Sequence, residues 1–415
     1  MGDFTGHWPG TREYRRLIGG LFFAGIATFA QLYSTQAVLP FIADSFEVTP
    51  STAALSVSLT TLGLAASVIG WSVVADRAGR VRAMAIGILS ATAIGLLAPL
   101  APTLGLLLTA RLLEGVALGA VPAIALAYLA EEVDAAHTAT AAGSYIAGTT
   151  IGGLAGRLIA GPFGDAGDWR WGVFAVAVVC AGAALLFLRL IPAARGFTPV
   201  TSSRSRAGAP TLAARVATNL RDRRQLALYA QGFLLMGGFV AVYNYLGFRL
   251  IDPPFAIPLW LASFVFVAYL AGTVTSPWAG RLASSRGRLP VLIASLAIMA
   301  AGVALTVVDQ LWAVVAGLLV MTAGFFAAHA IVSGWAPALA AGPARAQAAS
   351  LYYLGYYGGS SLFGWLLGFA FTAGGWGGVA GGVLAMIAVA ALATVGLRGG
   401  GARPGVRPAD VIHGR

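Results

Sequence analysis

Long apolar runs separated by short polar breaks follow one another along almost the whole chain. We place these runs at about 17–42, 52–75, 83–101, 104–130, 138–163, 170–191, 225–249, 257–279, 290–308, 311–335, 350–372 and 376–397. Most are close to the roughly 20 residues that an α-helix needs to cross a bilayer. They lack the alternation of apolar and polar positions that membrane β-strands show. The pattern therefore predicts an all-α integral membrane protein with twelve transmembrane helices.

The composition agrees with a membrane location. Hydrophobic residues make up 58% of the 415 positions and charged residues only 10%, which is too apolar for a soluble protein of this size. All basic residues are arginine, and most of the 26 fall in predicted polar segments on one side of the membrane. Because arginine-rich loops stay in the cytoplasm, both termini are predicted to be cytoplasmic. The net charge of +11 then reflects topology and does not predict a nucleic-acid partner.

The second half of the chain repeats features of the first. Gly79-Arg80 returns about half a chain length later as Gly287-Arg288. A second set returns at nearly the same interval: Tyr145, Gly148, Gly152 and Trp169 correspond to Tyr352, Gly355, Gly359 and Trp376. Such internal repeats are typical of secondary transporters. The predicted segments are an N-terminal cytoplasmic tail (1–16), a first six-helix bundle (17–191), a cytoplasmic central linker (192–224), a second six-helix bundle (225–397) and a cytoplasmic C-terminal tail (398–415).

The short segment between the second and third runs reads "GWSVVADRAGRVRAM". It resembles the G-x-L-A-D-R-x-G-R-R signature of the major facilitator superfamily, with Ser72 at the first glycine and Val81 at the last arginine. "GRLASSRGRL" is a weaker copy in the second half, and stretches such as "LYSTQAVLPFIADSF" resemble the YnfM-type branch of bacterial inner-membrane drug or sugar exporters. The resemblance implies two pseudo-symmetric six-helix halves, a monomer in the bacterial inner membrane, and movement of a small molecule by alternating access.

The same resemblance implies an inner gate. Its residues would hold the cytoplasmic side shut and favour the outward-facing state: Asp76, Arg77, Gly79, Arg80, Glu131, Glu132, Gly287 and Arg288. A carboxylate near a helix N-terminus is attracted to the partial positive charge there, which gives the latch a physical basis. The alternative is that these charges only anchor helix ends among lipid headgroups.

Three charged residues lie well inside the predicted spans, where charges are costly and usually face a partner or a cavity. Arg111 and Glu114 are three positions apart, so they share a helix face and can pair. "RLLEG" also resembles the family's R-x-x-Q-G motif, which implies proton transfer, so Glu114 is a candidate proton carrier; a purely structural pair is the alternative. Arg157 would either bind an anionic group of the substrate or extend towards the outer water.

Substrate contacts are expected from polar and aromatic residues near mid-span. The candidates are Tyr33, Gln36, Tyr145, Gln231, Tyr243, Asn244, His329, Tyr353 and Tyr357. Any one of them could instead make a hydrogen bond between helices, and a packed neutral histidine is the alternative for His329. Many aromatic rings and few charges suit a hydrophobic or amphipathic compound better than a free sugar.

Enzyme chemistry finds no support in the sequence. It contains no P-loop, no HExxH and no GxSxG motif, and its one cysteine, Cys180, lies mid-span. We therefore expect no enzymatic activity and no metal or organic cofactor. A proton gradient is the expected driving force. The predicted function is proton-coupled export of a hydrophobic or amphipathic drug-like compound, with protons, substrate and membrane lipid as partners. Transport of a sugar or small metabolite, as export or import, is the alternative.

Overall fold

The computed structural model describes residues 6–165, 167–196, 211–340 and 342–397. The predicted C-terminal tail, residues 197–210 of the predicted linker and the first five residues lie outside this part. The helices are α1 (Arg12–Leu32), α2 (Leu39–Ser45), α3 (Pro50–Ala78), α4 (Arg80–Leu97), α5 (Leu104–Leu118), α6 (Pro122–Glu132), α7 (Thr138–Asp165), α8 (Trp169–Leu190), α9 (Leu212–Arg221), α10 (Arg223–Ile251), α11 (Leu259–Ala262), α12 (Ala271–Arg286), α13 (Arg288–Leu305), α14 (Leu311–Leu339) and α15 (Arg345–Ala393).

Ten helical segments of the described residues are long and apolar enough to cross a membrane, so the predicted count of twelve is not fully reproduced. One difference is α7, which has 28 residues but contains many glycines and threonines together with Arg157, all of which lower its hydropathy. The other is the 53-residue stretch Arg345–Leu397, which takes in two predicted runs. Its helical geometry breaks at Gly374 and Gly375, and the positive φ of 56° at Gly375 is one that glycine adopts without strain.

Several predicted single spans consist of two helices joined at a break. The first span is α1 followed by a 3₁₀ turn (Gln36–Val38) and α2, and the fourth is α5 followed by α6. The span that begins with α11 continues through a 3₁₀ segment (Ser263–Leu270) into α12. Each break frees backbone carbonyl groups that must find another donor inside the membrane. Polar side chains gather at the first of these breaks.

The predicted turn between the second and third spans is shorter than the sequence suggested. Helix α3 runs to Ala78 and α4 starts at Arg80, so Gly79 alone changes the chain direction, with a φ of 94°. Gly287 joins α12 to α13 in the same way, with a φ of 88°. Residues with a side chain rarely adopt such values. The two halves therefore share a one-residue glycine hinge at equivalent positions.

Glycines also bring α7 into backbone contact with α1. A Cβ atom at Gly148 or Gly156 would overlap the carbonyl oxygen of Phe22 or Ala30, respectively. The second half has the same arrangement, because a Cβ at Gly359 of α15 would overlap the carbonyl oxygen of Phe233 on α10. Small residues at such spacing let membrane helices approach closely.

The two halves are joined near one side of the bundle. We call the side with the glycine hinges and their neighbouring arginines the arginine-rich side, and the other the opposite side. Ser361 Oγ donates to the Ser58 carbonyl oxygen at 2.7 Å, and Ser51 Oγ donates to the Trp365 carbonyl oxygen at 3.4 Å. A Cβ at Gly368 would lie 2.6 Å from the Ser51 Cα atom. These contacts hold α3 against α15 towards the opposite side.

Candidate functional site

Arg111 and Glu114 form an ion pair inside the first half. The Arg111 Nη1 atom lies 2.6 Å from Glu114 Oε2, one helical turn away on α5. Arg111 is fully buried and Glu114 is 1% exposed. The helix break after α1 explains two further contacts of the arginine, which donates to the carbonyl oxygens of Gln31 and Leu32 at 3.0–3.1 Å. Arg111 also donates to the Ser56 carbonyl oxygen of α3 at 3.0 Å. Arg111 therefore supplies the donors that the end of α1 lacks.

The second carboxylate oxygen of Glu114 faces a tight space beside Gln31. A Cβ at Gly95 would lie 3.0 Å from Glu114 Oε1 and 2.8 Å from Gln31 Oε1. Gln31 uses its amide nitrogen to reach the Ala27 carbonyl oxygen at 2.8 Å, whereas its own side-chain oxygen is buried without a hydrogen-bond partner among the described residues. A proton on Glu114 would therefore find a neutral acceptor in the same small space.

Arg157 lies where the two halves meet and is 1% exposed. From α7 in the first half, its Nη2 atom donates to the hydroxyl of Tyr269 in the second half at 3.1 Å. Its Nε atom donates to Gln36 Oε1 at 2.6 Å, and Nη1 donates to the Gly153 carbonyl oxygen. The guanidinium carbon lies 4.2 Å from the ring centroid of Tyr33, 4.5 Å from Tyr269 and 5.1 Å from Phe266. Each of these partners is neutral.

Gln36 extends this network across the interface. Its Nε2 atom donates to Asn244 Oδ1 at 2.7 Å, and the Asn244 amide donates to the Gly364 carbonyl oxygen at 3.1 Å. Gln36 belongs to the 3₁₀ turn that follows α1, whereas Asn244 lies on α10. One chain of hydrogen bonds thus runs from Arg157 through both halves.

Aromatic rings from α14 and α15 form a wall in the second half. His329 Nδ1 lies 2.8 Å from the Tyr352 hydroxyl, and its ring stacks on Phe325 with 6.0 Å between centroids. Tyr356 packs 4.8 Å from the His329 ring, and Tyr353 is 41% exposed. Gln231, on α10, borders the same cluster.

Tyr33 and Tyr145 of the first half lie within electrostatic range of Tyr357 of α15, close to this wall. The predicted cavity residues are therefore divided between two places. Tyr33, Tyr145, Tyr353 and Tyr357 belong to the region between the halves, whereas Tyr243 turns to Thr322 at 2.8 Å within the second half.

Tyr269, Phe266, Tyr352 and Tyr356 were not among the sequence-based candidates. Two of them, Phe266 and Tyr269, lie in an eight-residue 3₁₀ segment that reads as a uniformly apolar run. Tyr352 was noted only as a repeat partner of Tyr145. The dense "YYLGYY" stretch was a usable signal, because four rings within six residues must present aromatic surface on more than one face of a helix.

On the arginine-rich side, Arg80 connects two carboxylates. Its Nη1 atom lies 2.6 Å from Asp76 Oδ1, and Nη2 lies 2.8 Å from Glu131 Oε1. All three residues belong to the first half. Glu132 has a different environment: it is fully buried, and its Oε1 atom accepts the backbone N–H groups of Arg195 and Gly196 at 2.6 Å each.

The other predicted gate residues lie at the surface. Arg77 and Gly287 are exposed, and Arg288 lies over the Trp335 ring at 6.0 Å. The hydrogen bonds described between the halves lie on the other side of the molecule. The latch between the halves on the arginine-rich side thus stays a prediction, for a state in which that side is closed.

The family follows from a comparison with known proteins. Residues 21–268 match the model of the Major Facilitator Superfamily. The chain belongs to the major facilitator superfamily. Within this superfamily it is 38% identical over 387 residues to the inner membrane transport protein YnfM of Escherichia coli strain K12, covering 92% of this chain and 90% of that protein.

A second relative and a solved structure are also similar to this chain. The uncharacterized MFS-type transporter YybF of Bacillus subtilis strain 168 is 34% identical over 381 residues, covering 92% of this chain and 93% of that protein. The crystal structure of the nucleoside transporter NupG (D323A mutant) superposes with a TM-score of 0.76 at 16% identity, covering 92% of this chain and all of NupG. At that identity the superposition establishes the shared fold alone. The predicted major facilitator fold is confirmed.

Proposed function

We propose that this protein exports a hydrophobic or amphipathic compound across the bacterial inner membrane in exchange for protons. Its similarity to YnfM, an inner membrane transport protein, and its many apolar helices support this location. A second proposal concerns orientation: the arginine-rich side faces the cytoplasm, because arginine-rich loops are retained there. The arrangement of the halves then corresponds to the inward-facing state of an alternating-access cycle, with the opposite side closed by α3, α15 and the network around Arg157.

The buried Arg111–Glu114 pair is the observation that carries the proposal of proton coupling. Glu114 is the one acidic residue inside the predicted spans. Its carboxylate lies beside both a fixed cation and the Gln31 Oε1 atom, which has no hydrogen-bond partner within the described part of the chain. Moving Glu114 away from Arg111 would favour its protonation, and Gln31 would then accept the new O–H group. The Arg111 contacts at the break after α1 connect this change to the segment that carries Tyr33 and Gln36.

The aromatic wall supports an apolar or amphipathic substrate. Tyr353, Tyr356 and Tyr357 offer flat surfaces that bind rings and chains through burial of apolar area. One observation favours the alternative of a sugar or small metabolite: Gln36 and Asn244 place two carboxamides at the interface, where they could exchange their mutual hydrogen bond for substrate hydroxyls. Paired measurements with apolar and sugar substrates separate the two possibilities.

The test is proton movement in proteoliposomes with a panel of amphipathic compounds and sugars, in wild type, Glu114→Gln and Glu47→Gln. Glu47 is an exposed acid on the opposite side, so it controls for the loss of a carboxylate. We expect amphipaths to trigger proton flux in the wild type and the control and no flux in Glu114→Gln. Equal flux in all three would refute Glu114 as the carrier, and flux with sugars alone would favour the alternative.

Glu114→Gln leaves Arg111 without its counter-charge and can therefore damage folding. The double variant Arg111→Gln/Glu114→Gln removes both charges and addresses this problem. If the pair is only structural, a folded double variant regains substrate-driven proton flux. If Glu114 carries the proton, the double variant regains thermal stability relative to Glu114→Gln but not flux.

A further inference from the structure

The two deeply buried arginines of the first half differ in what neutralises them. Arg111 has a carboxylate at 2.6 Å and carbonyl or hydroxyl acceptors around the rest of its guanidinium. Arg157 has a glutamine oxygen, one carbonyl and a tyrosine hydroxyl. Among the described residues it has no salt-bridge partner. Arg157 is therefore a buried cation whose counter-charge the described residues do not supply.

The surroundings of Arg157 are suited to receive that counter-charge. The three hydrogen bonds use three of its five N–H hydrogens, which leaves two for a further acceptor. The rings of Tyr33, Phe266 and Tyr269 surround the guanidinium and come from both halves. A planar guanidinium with free N–H groups matches the two oxygens of a carboxylate. The nearby rings would contact an aromatic or aliphatic group attached to it.

We propose that Arg157 binds the carboxylate of an amphipathic anion and that this protein transports such anions in preference to cations. This inference deepens the proposed export function and rests on it. Glu114 does not offset the preference, because its carboxylate already pairs with Arg111. A cationic substrate would meet Arg157, which has no acidic partner in the described ranges, whereas an anion would neutralise this buried charge.

Binding at Arg157 would also act on the contact between the halves. Gln36 and Tyr269 hold the same guanidinium, and through them Arg157 connects to α10 and to the 3₁₀ segment Ser263–Leu270 of the second half. A carboxylate bound to the two remaining N–H groups would draw the guanidinium away from these neutral acceptors. Substrate binding would thus weaken hydrogen bonds that close the opposite side, which is the change that export from the inward-facing state requires.

The test is equilibrium binding of three matched probes to purified protein in nanodiscs without a pH gradient. The probes are 2-naphthoate, 2-naphthamide and 2-naphthylmethylammonium, which share a ring system and differ in charge. The variants are Arg157→Gln, Arg157→Lys and Arg170→Gln. Arg170 is a suitable control because it is an arginine of the first half that contacts Ser45 and the Ala101 carbonyl oxygen, away from Arg157.

We expect the wild type and Arg170→Gln to bind naphthoate about 10- to 100-fold more tightly than naphthamide, the range of a charge-assisted hydrogen bond. We expect Arg157→Gln to lose this preference, because naphthoate should lose much more affinity than naphthamide when the guanidinium is removed. Arg157→Lys should keep part of it, because the charge remains and the two-pronged geometry is lost.

Three outcomes would overturn the inference: no naphthoate binding by the wild type, tighter binding of the ammonium probe, or a carboxylate preference that survives in Arg157→Gln. These results are independent of the proton-flux assay. If the protein moves protons in exchange for neutral or cationic amphipaths only, the proposed function stands and the inference about Arg157 is wrong. If it binds naphthoate but shows no coupled proton flux, the inference about Arg157 stands and the proposed function is wrong.

Discussion

The hydrogen bond between Ser361 and Ser58 joins the two halves on the opposite side. Removing the Ser361 hydroxyl tests whether this bond helps to keep that side closed. Ser361 Oγ donates to the Ser58 carbonyl oxygen at 2.7 Å, and both residues are buried. Ser361→Ala removes the donor and little else. The Ser58 carbonyl oxygen keeps a second donor, the Thr61 hydroxyl at 2.9 Å, so no buried acceptor is left unpaired. The substitution therefore isolates one contact between the halves.

The expected effect follows from the net contribution of a neutral hydrogen bond, about 0.5–1.5 kcal/mol. Because this bond joins the halves only while the opposite side is closed, its loss destabilises that state relative to the other. The ratio of the two states should change by about two- to twelve-fold in favour of the state in which the opposite side is open. The thermal stability of the whole protein should change little.

The assay is a distance distribution between two spin labels on the opposite side. Glu47 and Gln310 are exposed there and lie in different halves, and Cys180→Ser supplies a background without cysteine. The measurement is made at a pH at which the wild type shows both a short and a long distance. Tyr243→Phe is the matched control, because it removes a buried hydrogen bond to Thr322 within the second half. An unchanged distribution in Ser361→Ala, or an equal change in Tyr243→Phe, would refute the reasoning.

Three further predictions concern the hinge, the packing face and the gate. Gly79→Ala should lower the free energy of unfolding by about 1–3 kcal/mol, because a φ of 94° strains a residue with a side chain; Gly280→Ala, in open space on α12, is the control in thermal unfolding. Gly156→Leu should prevent the close approach of α7 and α1, seen as loss of the monodisperse peak in size-exclusion chromatography. If the latch exists, Arg80→Gln should raise the inward-facing population in the spin-label assay, whereas Ser361→Ala should lower it. If these charges only anchor helix ends, Arg80→Gln should leave the population unchanged.

Much of the fold could be predicted because a membrane span can be recognised from its own residues, without knowledge of its neighbours in space. A run of about 20 apolar residues must satisfy its backbone groups internally, so it becomes a helix whatever its neighbours are. The same local character made the Arg111–Glu114 pair readable, since residues three apart on a helix share a face. The count of spans differed at two places. Helix α7 is long enough to cross a membrane but has a low hydropathy, and two predicted spans are continuous across the Gly374–Gly375 break.

The site was less predictable because its contacts join residues that are far apart in the sequence. Arg157 and Tyr269 belong to different halves, and nothing near Tyr269 in the sequence marks it as a partner for a cation. Glu131 and Glu132 are adjacent and chemically alike, yet one contacts Arg80 and the other the backbone after α8. Tertiary packing decides which direction each faces.

The sequence by itself determined the class of this protein: a helical membrane protein made of two related halves, with three charged residues well inside its predicted spans. Hydrophobicity and helical periodicity are local properties, and they are sufficient for these conclusions. Only the tertiary structure decided that Arg157 has neutral partners, because Gln36, Phe266 and Tyr269 are far from it in the sequence. It also decided which side of the molecule is closed, since that state is defined by contacts between halves that the sequence describes separately.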